Sequence, residues 1–64
     1  MFFTACHTNR ATGENSPVII RDWQKLYELI TKVANDENLD FLSLSLHKSN
    51  DDIAYFKENG YTDI

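Results

Sequence analysis

Apolar residues in the middle of the chain recur at every second position. In residues 40–47, Leu42, Leu44 and Leu46 alternate with serines. This period of two predicts a half-buried strand, because alternate side chains of a strand point to opposite faces of the sheet. We expect the three leucines to pack on the helix that precedes them, and Phe41 to point the other way.

The segment before this strand has the spacing of an amphipathic helix. Asp22 is suited to cap the first turn, because its carboxylate can accept a hydrogen bond from a free backbone N–H. Short polar side chains after Asn35 compete for backbone hydrogen bonds and disfavour a longer helix. We predict a helix from Asp22 to about Asn35. Its apolar residues at helical spacing are Trp23, Leu26, Tyr27, Ile30, Val33 and Ala34.

The N-terminal part of the chain indicates two strands joined by a loop. Residues 1–7 are apolar and aromatic, with Thr4 and Cys6 interspersed, and this composition predicts a strand. Residues 8–17 collect Thr, Asn, Gly, Ser and Pro, which favour turns. The β-branched residues 18–20 predict a second short strand, which pairs with the first as a wide hairpin.

The C-terminal part predicts a second, shorter helix. Ser49 or Asn50 is suited to cap it, and the acids that follow favour the positive end of a helix. We expect this helix to run to Asn59 and to end at Gly60 in the left-handed conformation. Residues 61–64 then form either a short edge strand or a tail. The buried side of the helix consists of Ile53 and Phe56.

Together these elements predict an α+β fold with the order β-β-α-β-α. We expect residues 1–64 to form one domain, in which a two- to three-stranded sheet packs on one long and one short helix. A sheet this small has at least one open edge. Such an edge offers backbone hydrogen bonds to a second copy or to another partner.

The composition limits how such a domain is stabilised. Hydrophobic residues make up 42% of the 64 positions, and Cys6 is the only cysteine, so no disulfide can form within the chain. A core this small supplies on the order of a few kcal/mol of net stability, so close packing or association of copies is expected. We expect a cytoplasmic protein, because residues 1–10 lack the pattern of a secretory signal and residues 17–20 are the longest apolar run.

Acidic residues outnumber basic ones and are concentrated in the second half of the chain. Ten acids against six bases give a net charge of −4, with +1 on residues 1–32 and −5 on residues 33–64. Nucleic-acid binding depends on clustered cations, so we predict no direct nucleic-acid binding and no membrane partner. The acidic half either keeps the protein in solution or attracts a larger protein with a basic surface.

Three residues with metal-binding or nucleophilic side chains lie near the ends of the predicted strands, namely Cys6, His7 and His47. Adjacent residues of a strand point to opposite faces, whereas structural zinc needs four ligands that converge. A Cys–His nucleophile also needs an oxyanion hole and an orienting group, and no motif supplies them. We therefore predict no catalytic residue, no metal site and no cofactor.

The chain contains eight aromatic residues, too many for a 64-residue domain to enclose completely. We expect exposed rings beside acids to form a protein-binding surface, because aromatic side chains anchor many interfaces. The alternative is that these rings close a homodimer. The residues predicted to contact a partner are Asp36, Glu37, Asp40, Phe41, Asp51, Asp52, Tyr55 and Tyr61.

The predicted strand from Leu42 leads to Asn50 and then to a helix that carries Ile53 and Phe56 ahead of the pair Gly60-Tyr61. This pattern over residues 42–61 resembles the C-terminal motif of GNAT N-acetyltransferases. The glycine-rich turn with which that family binds coenzyme A is absent. The resemblance therefore implies a degenerate acyl-CoA-fold protein or subunit without the cofactor site.

The small size, the acidity and the lack of catalytic motifs resemble those of small phage-encoded inhibitors, which include anti-CRISPR and anti-restriction proteins. This resemblance implies a non-enzymatic protein that binds a larger protein and inhibits it by occlusion. The degenerate acetyltransferase relative is one alternative. A self-assembling structural protein is another.

Overall fold

The structure is a computed structural model, and it describes all 64 residues. Its elements in chain order are β1 (Phe2–Asn9), β2 (Asn15–Ile20), α1 (Trp23–Asn35), β3 (Leu39–His47), a 3-10 turn (Asn50–Asp52), α2 (Ile53–Glu58) and β4 (Thr62–Asp63). The predicted α+β class is confirmed. The sheet has four strands, however, and not two or three.

The strands form one mixed sheet in the order β3-β1-β2-β4. β1 pairs antiparallel with β2 and with β3, whereas β2 pairs parallel with β4. The two strands that flank α1 in the chain, β2 and β3, are therefore separated by β1. This order leaves β3 at one edge of the sheet and β4 at the other.

The β1–β2 hairpin is longer than the sequence predicts. Both strands continue into the predicted loop, so that only residues 10–14 remain outside them. The Asn9 side chain closes the turn, because its Oδ1 accepts hydrogen bonds from the backbone N–H groups of Ala11 and Thr12 at 2.9 and 3.3 Å. Gly13 completes the turn with φ +74°, a value that side-chain-bearing residues rarely adopt.

The predicted start and length of α1 are confirmed. Asp22 has extended backbone angles, and its Oδ1 accepts a hydrogen bond from the Lys25 backbone N–H at 2.9 Å. The helix ends at Asn35, as the polar residues after it predict. Neither helix has the length and the apolar character that crossing a membrane requires.

The core lies between α1 and one face of the sheet. Phe3 and Ala5 of β1 point toward Leu26 and Leu29 of α1, and all four are buried. Leu29 was absent from the predicted helical stripe, yet it is one of the two buried residues of α1. The core consists of Phe3, Ala5, Val18, Ile20, Leu26 and Leu29, with Val33 and Phe41 packed against it.

The prediction that the leucines of β3 pack beneath α1 is wrong. Leu42, Leu44 and Leu46 expose 59%, 46% and 52% of their surface. Leu44 and Leu46 lie opposite Ala5 and Phe3 on β1 and so share the face that carries α1. Since β3 is the edge strand, the helix covers β1 and β2 and leaves these leucines beside it.

Phe41 was predicted to point away from the leucines, and this prediction is also wrong. The pairing of β3 with β1 shifts by one residue, so that Cys6 lies opposite Ser43 but His7 lies opposite Phe41. Such a bulge reverses the alternation of side chains. Phe41 consequently packs against the core under α1, where it is half-buried.

The second face of the sheet is covered in part by the C-terminal segment. Phe2 is fully buried there, stacked on the His47 ring at 4.5 Å between ring centroids. Phe56 of α2 contacts both rings and also the ring of Tyr61. Beneath them, the buried Thr4 hydroxyl lies 2.9 Å from Nε2 of His47.

The turns before and after α2 form at the residues that the sequence predicts. The Ser49 hydroxyl caps the 3-10 turn by accepting a hydrogen bond from the Asp51 backbone N–H at 3.2 Å. Gly60 adopts φ +89° after the helix, as predicted for a left-handed helix end. Residues 62–63 then form the edge strand β4, which was one of the two predicted outcomes for this segment.

Candidate interaction surfaces

The predicted partner-binding residues lie in two separate places. Asp36, Glu37 and Asp40 surround the start of β3, whereas Asp51, Asp52 and Tyr55 follow its end. A nine-residue strand spans about 26 Å, so the two groups of acids do not form one continuous patch. The acidic half of the sequence is thus divided in space.

The acids at the start of β3 already have partners within the chain. Asp40 accepts a hydrogen bond from the Arg10 guanidinium at 2.8 Å. This hydrogen bond, together with the positive charge of Arg10, lowers the pKa of Asp40. Asp36 accepts a hydrogen bond from the Asn38 backbone N–H at 2.9 Å and so shapes the turn into β3. Glu37 is exposed beside them.

The acids near α2 lack such partners. Asp51, Asp52 and Glu58 are exposed and form no ion pair. Tyr55 lies between them along the chain, with 62% of its surface exposed. At helical spacing, residues three or four positions apart share one side. We call this surface of the 3-10 turn and α2 the acidic ridge; it consists of Asp51, Asp52, Tyr55 and Glu58.

The other two predicted aromatic contacts are less accessible. Phe41 packs against the core, and Tyr61 packs against Phe56, so that each is half-buried. Glu58 was not among the predicted contacts. Its position three residues after Tyr55 is a signal that could have identified it.

One exposed apolar surface was not predicted. Trp23, Tyr27 and Ile30 follow one another at intervals of four and three residues on α1, and all three are exposed. They lie beside the leucine row of β3. We call this surface the apolar face; it consists of Trp23, Tyr27, Ile30, Leu42, Leu44 and Leu46.

The two halves of the apolar face are adjacent because of how α1 lies on the sheet. One flank of the helix, with Lys25 and Lys32, lines a cleft with Val18 and Ile64 at the β2–β4 side. At 100° per residue, Trp23, Tyr27 and Ile30 project from the opposite flank, toward β3. The rings of Trp23 and Phe3 lie 5.0 Å apart, and Phe3 lies between Ile20 of β2 and Leu46 of β3.

Cys6, His7 and His47 do not converge. His7 lies opposite Phe41 on the face that carries α1 and lines the cleft beneath that helix. His47 stacks on Phe2 on the other face. No group of three His, Cys, Asp or Glu side chains is arranged to hold a metal ion.

Comparison of the chain with protein-family models, with curated proteins and with solved structures finds no match of any of the three kinds. The resemblances to the acetyltransferase motif and to phage-encoded inhibitors stay predictions. The function is therefore argued from the surfaces described above.

Proposed function

We propose that this protein is a non-enzymatic binding module that attaches to a basic surface of a larger protein and inhibits it by occlusion. The observation that carries the proposal is the acidic ridge, where Asp51, Asp52 and Glu58 remain unpaired around an exposed tyrosine. A phage-encoded inhibitor of a host defence protein is the narrower form of this proposal.

The ridge has the two properties that such a contact needs. Unpaired carboxylates attract a positively charged partner over a distance and raise the rate of association. Tyr55 supplies apolar area at its centre together with a hydroxyl, the combination that makes tyrosine frequent in the core of interfaces. The acids at the start of β3 are less suited, since Arg10 neutralises Asp40.

The proposal is tested by reversing the charges of the ridge. A partner is first isolated by affinity purification and identified, and its association is then followed by stopped flow at several salt concentrations. The variant Asp51→Lys/Asp52→Lys should associate at least about 10-fold more slowly at low salt, and its rate should depend less on salt.

The matched control carries the same change of charge elsewhere. Glu14 and Glu37 are exposed at the other end of the molecule, and neither side chain forms a hydrogen bond or an ion pair. The variant Glu14→Lys/Glu37→Lys should associate within about twofold of the native rate. Equal slowing by both double variants would show that only net charge matters, and the ridge would be rejected as the contact.

Tyr55→Ala tests the central contact separately. Because contacts made after encounter act mainly on dissociation, this variant should dissociate about 10-fold faster with little change in the association rate. Its circular dichroism should match that of the native protein, since Tyr55 is exposed. An unchanged dissociation rate would remove Tyr55 from the contact.

Titration with acetyl-CoA separates this proposal from the acetyltransferase alternative. The first turn of α1 is occupied by the Asp22 carboxylate, which accepts the Lys25 N–H and would repel a phosphate at that helix start. We expect no heat of binding at micromolar concentrations. Saturable binding in that range would favour the acyl-CoA-fold relative instead.

A further inference from the structure

The apolar face combines an unpaired strand edge with exposed apolar side chains. β3 pairs only with β1, so the backbone groups along its outer edge have no strand partner. Residues 41–46 carry no charge, although exposed edge strands usually carry charges that prevent pairing. The six side chains expose on the order of 600 Å², close to the roughly 800 Å² that each partner contributes to a standard interface.

We propose that the apolar face binds a second copy of the chain through antiparallel pairing of the two β3 strands, with a two-fold axis at Leu44. The two four-stranded sheets then form one continuous sheet, with both α1 helices on the same side. This contact is separate from the acidic ridge, so it does not rest on the proposed function.

The sequence of β3 is complementary to itself in one register. When Leu44 lies opposite its own counterpart, Leu42 lies opposite Leu46 of the other copy, so each of these three leucines faces a leucine. Shifting the strands by two residues toward residue 48 places Leu42 of each copy opposite Lys48 of the other, and not opposite a leucine.

Charge does not add to this complementarity. The bulge places Asp40 on the face of Thr8, opposite to the face of the leucines, and Arg10 already binds its carboxylate. The self-complementary row of leucines on an uncharged edge is the reason for assigning the apolar face to a second copy.

The exposed flank of α1 covers the paired leucines on the face of the sheet that carries the helices. Trp23, Tyr27 and Ile30 project toward β3 in each copy, so the two flanks converge over the paired leucine rows. A two-stranded backbone contact alone would leave the leucines in water. Burial of aromatic and leucine side chains on the same side supplies the apolar core that stable dimers possess.

Sedimentation equilibrium over a range of concentrations tests the association. The native chain should form a dimer, and Leu44→Lys should weaken it at least about 100-fold, because two lysines meet on the axis. Ile64→Lys is the control, since it places the same charge outside both surfaces at a residue that is 45% exposed, against 46% for Leu44. It should leave the dissociation constant within about twofold of the native value.

Disulfide formation tests the register. In a Cys6→Ser background, Leu44→Cys should cross-link two copies on mild oxidation, because the two-fold axis brings the two side chains together. Leu42→Cys should cross-link far more slowly, since it faces Leu46 of the other copy. Circular dichroism establishes that both variants keep the native fold.

Two results would overturn the proposal. One is a native chain that stays monomeric at all concentrations, or a dimer that Leu44→Lys and Ile64→Lys affect equally. The other is cross-linking through residue 42 that equals or exceeds cross-linking through residue 44, which would place the axis elsewhere.

Discussion

The Arg21 guanidinium binds the Asp63 carboxylate through two hydrogen bonds, from Nε to Oδ1 at 3.1 Å and from Nη2 to Oδ2 at 2.6 Å. Arg21 follows β2 directly and Asp63 lies in β4, so this pair holds the C-terminal strand at the edge of the sheet. Lys57 of α2 adds a second cation, with its Nζ 3.4 Å from Oδ2. The hydrogen bonds from Arg21, aided by both positive charges, lower the pKa of Asp63.

The lowered pKa makes the stability of the fold dependent on pH. A carboxylate whose folded pKa lies below its unfolded value of about 3.9 contributes stability above that value, and the contribution is lost as the pH falls through the folded pKa. Asp63→Asn should therefore lower the free energy of unfolding at neutral pH, and the difference should be smaller at about pH 2. Urea unfolding of both proteins at the two pH values measures this difference. An equal difference at both values would contradict the prediction.

Thr4 and His47 should be energetically coupled. The Thr4 hydroxyl is buried, and it lies 2.9 Å from Nε2 of His47. His47→Phe leaves that hydroxyl without a partner and should cost about 1–3 kcal/mol of unfolding free energy. In a Thr4→Val background no hydroxyl remains, so the same substitution should cost less. A double-mutant cycle by urea unfolding measures the coupling, and strict additivity would refute it.

Leu29 should contribute more to stability than its place in the sequence pattern predicts. It is buried in the core beneath α1, so Leu29→Ala should cost about 2–5 kcal/mol, a large share of the stability of so small a domain. The neighbouring Glu28 is exposed on the same helix, and Glu28→Ala should change stability by less than about 0.5 kcal/mol. Thermal and urea unfolding of the pair test this contrast. Similar losses would place Leu29 outside the core.

The cap of α1 should depend on an oxygen acceptor and not on charge alone. Asp22→Ala removes the acceptor for the Lys25 N–H and should cost about 0.5–2 kcal/mol. Asn caps helices about as well as Asp, so Asp22→Asn should cost only a few tenths of a kcal/mol. Urea midpoints of the two variants distinguish these outcomes. Equal losses would mean that the negative charge dominates at this position.

Local signals explain which parts of the fold could be predicted from the sequence. Asp22 caps α1, and Gly60 adopts the positive φ that follows α2, because both features depend on a few neighbouring residues. Local signals could not predict whether α1 covers the leucines of β3. A period of two defines two faces, but which of them a helix covers depends on the order of strands in the sheet, a relationship between distant parts of the chain.

The same reasoning applies to the candidate contact residues. Phe41 was assigned to the wrong face because one extra residue in β3 reverses the alternation, and no local pattern marked the bulge. The acids of the second half were grouped by their nearness in the chain, yet β3 separates them in space. Tyr55 is exposed, as expected for a contact, because α2 is short and buries only one side.

The two edges of the sheet differ in whether a further strand can pair with them. At the edge opposite β3, the sheet ends in β4, which is two residues long and carries the ion-paired Asp63. The uncovered part of β2 beside it contains Pro17, which has no backbone N–H to donate. Strand addition is therefore directional, open at β3 and terminated at β4. A pair of chains joined through β3 presents a terminated edge at each outer end, so it stays finite and does not propagate into a filament.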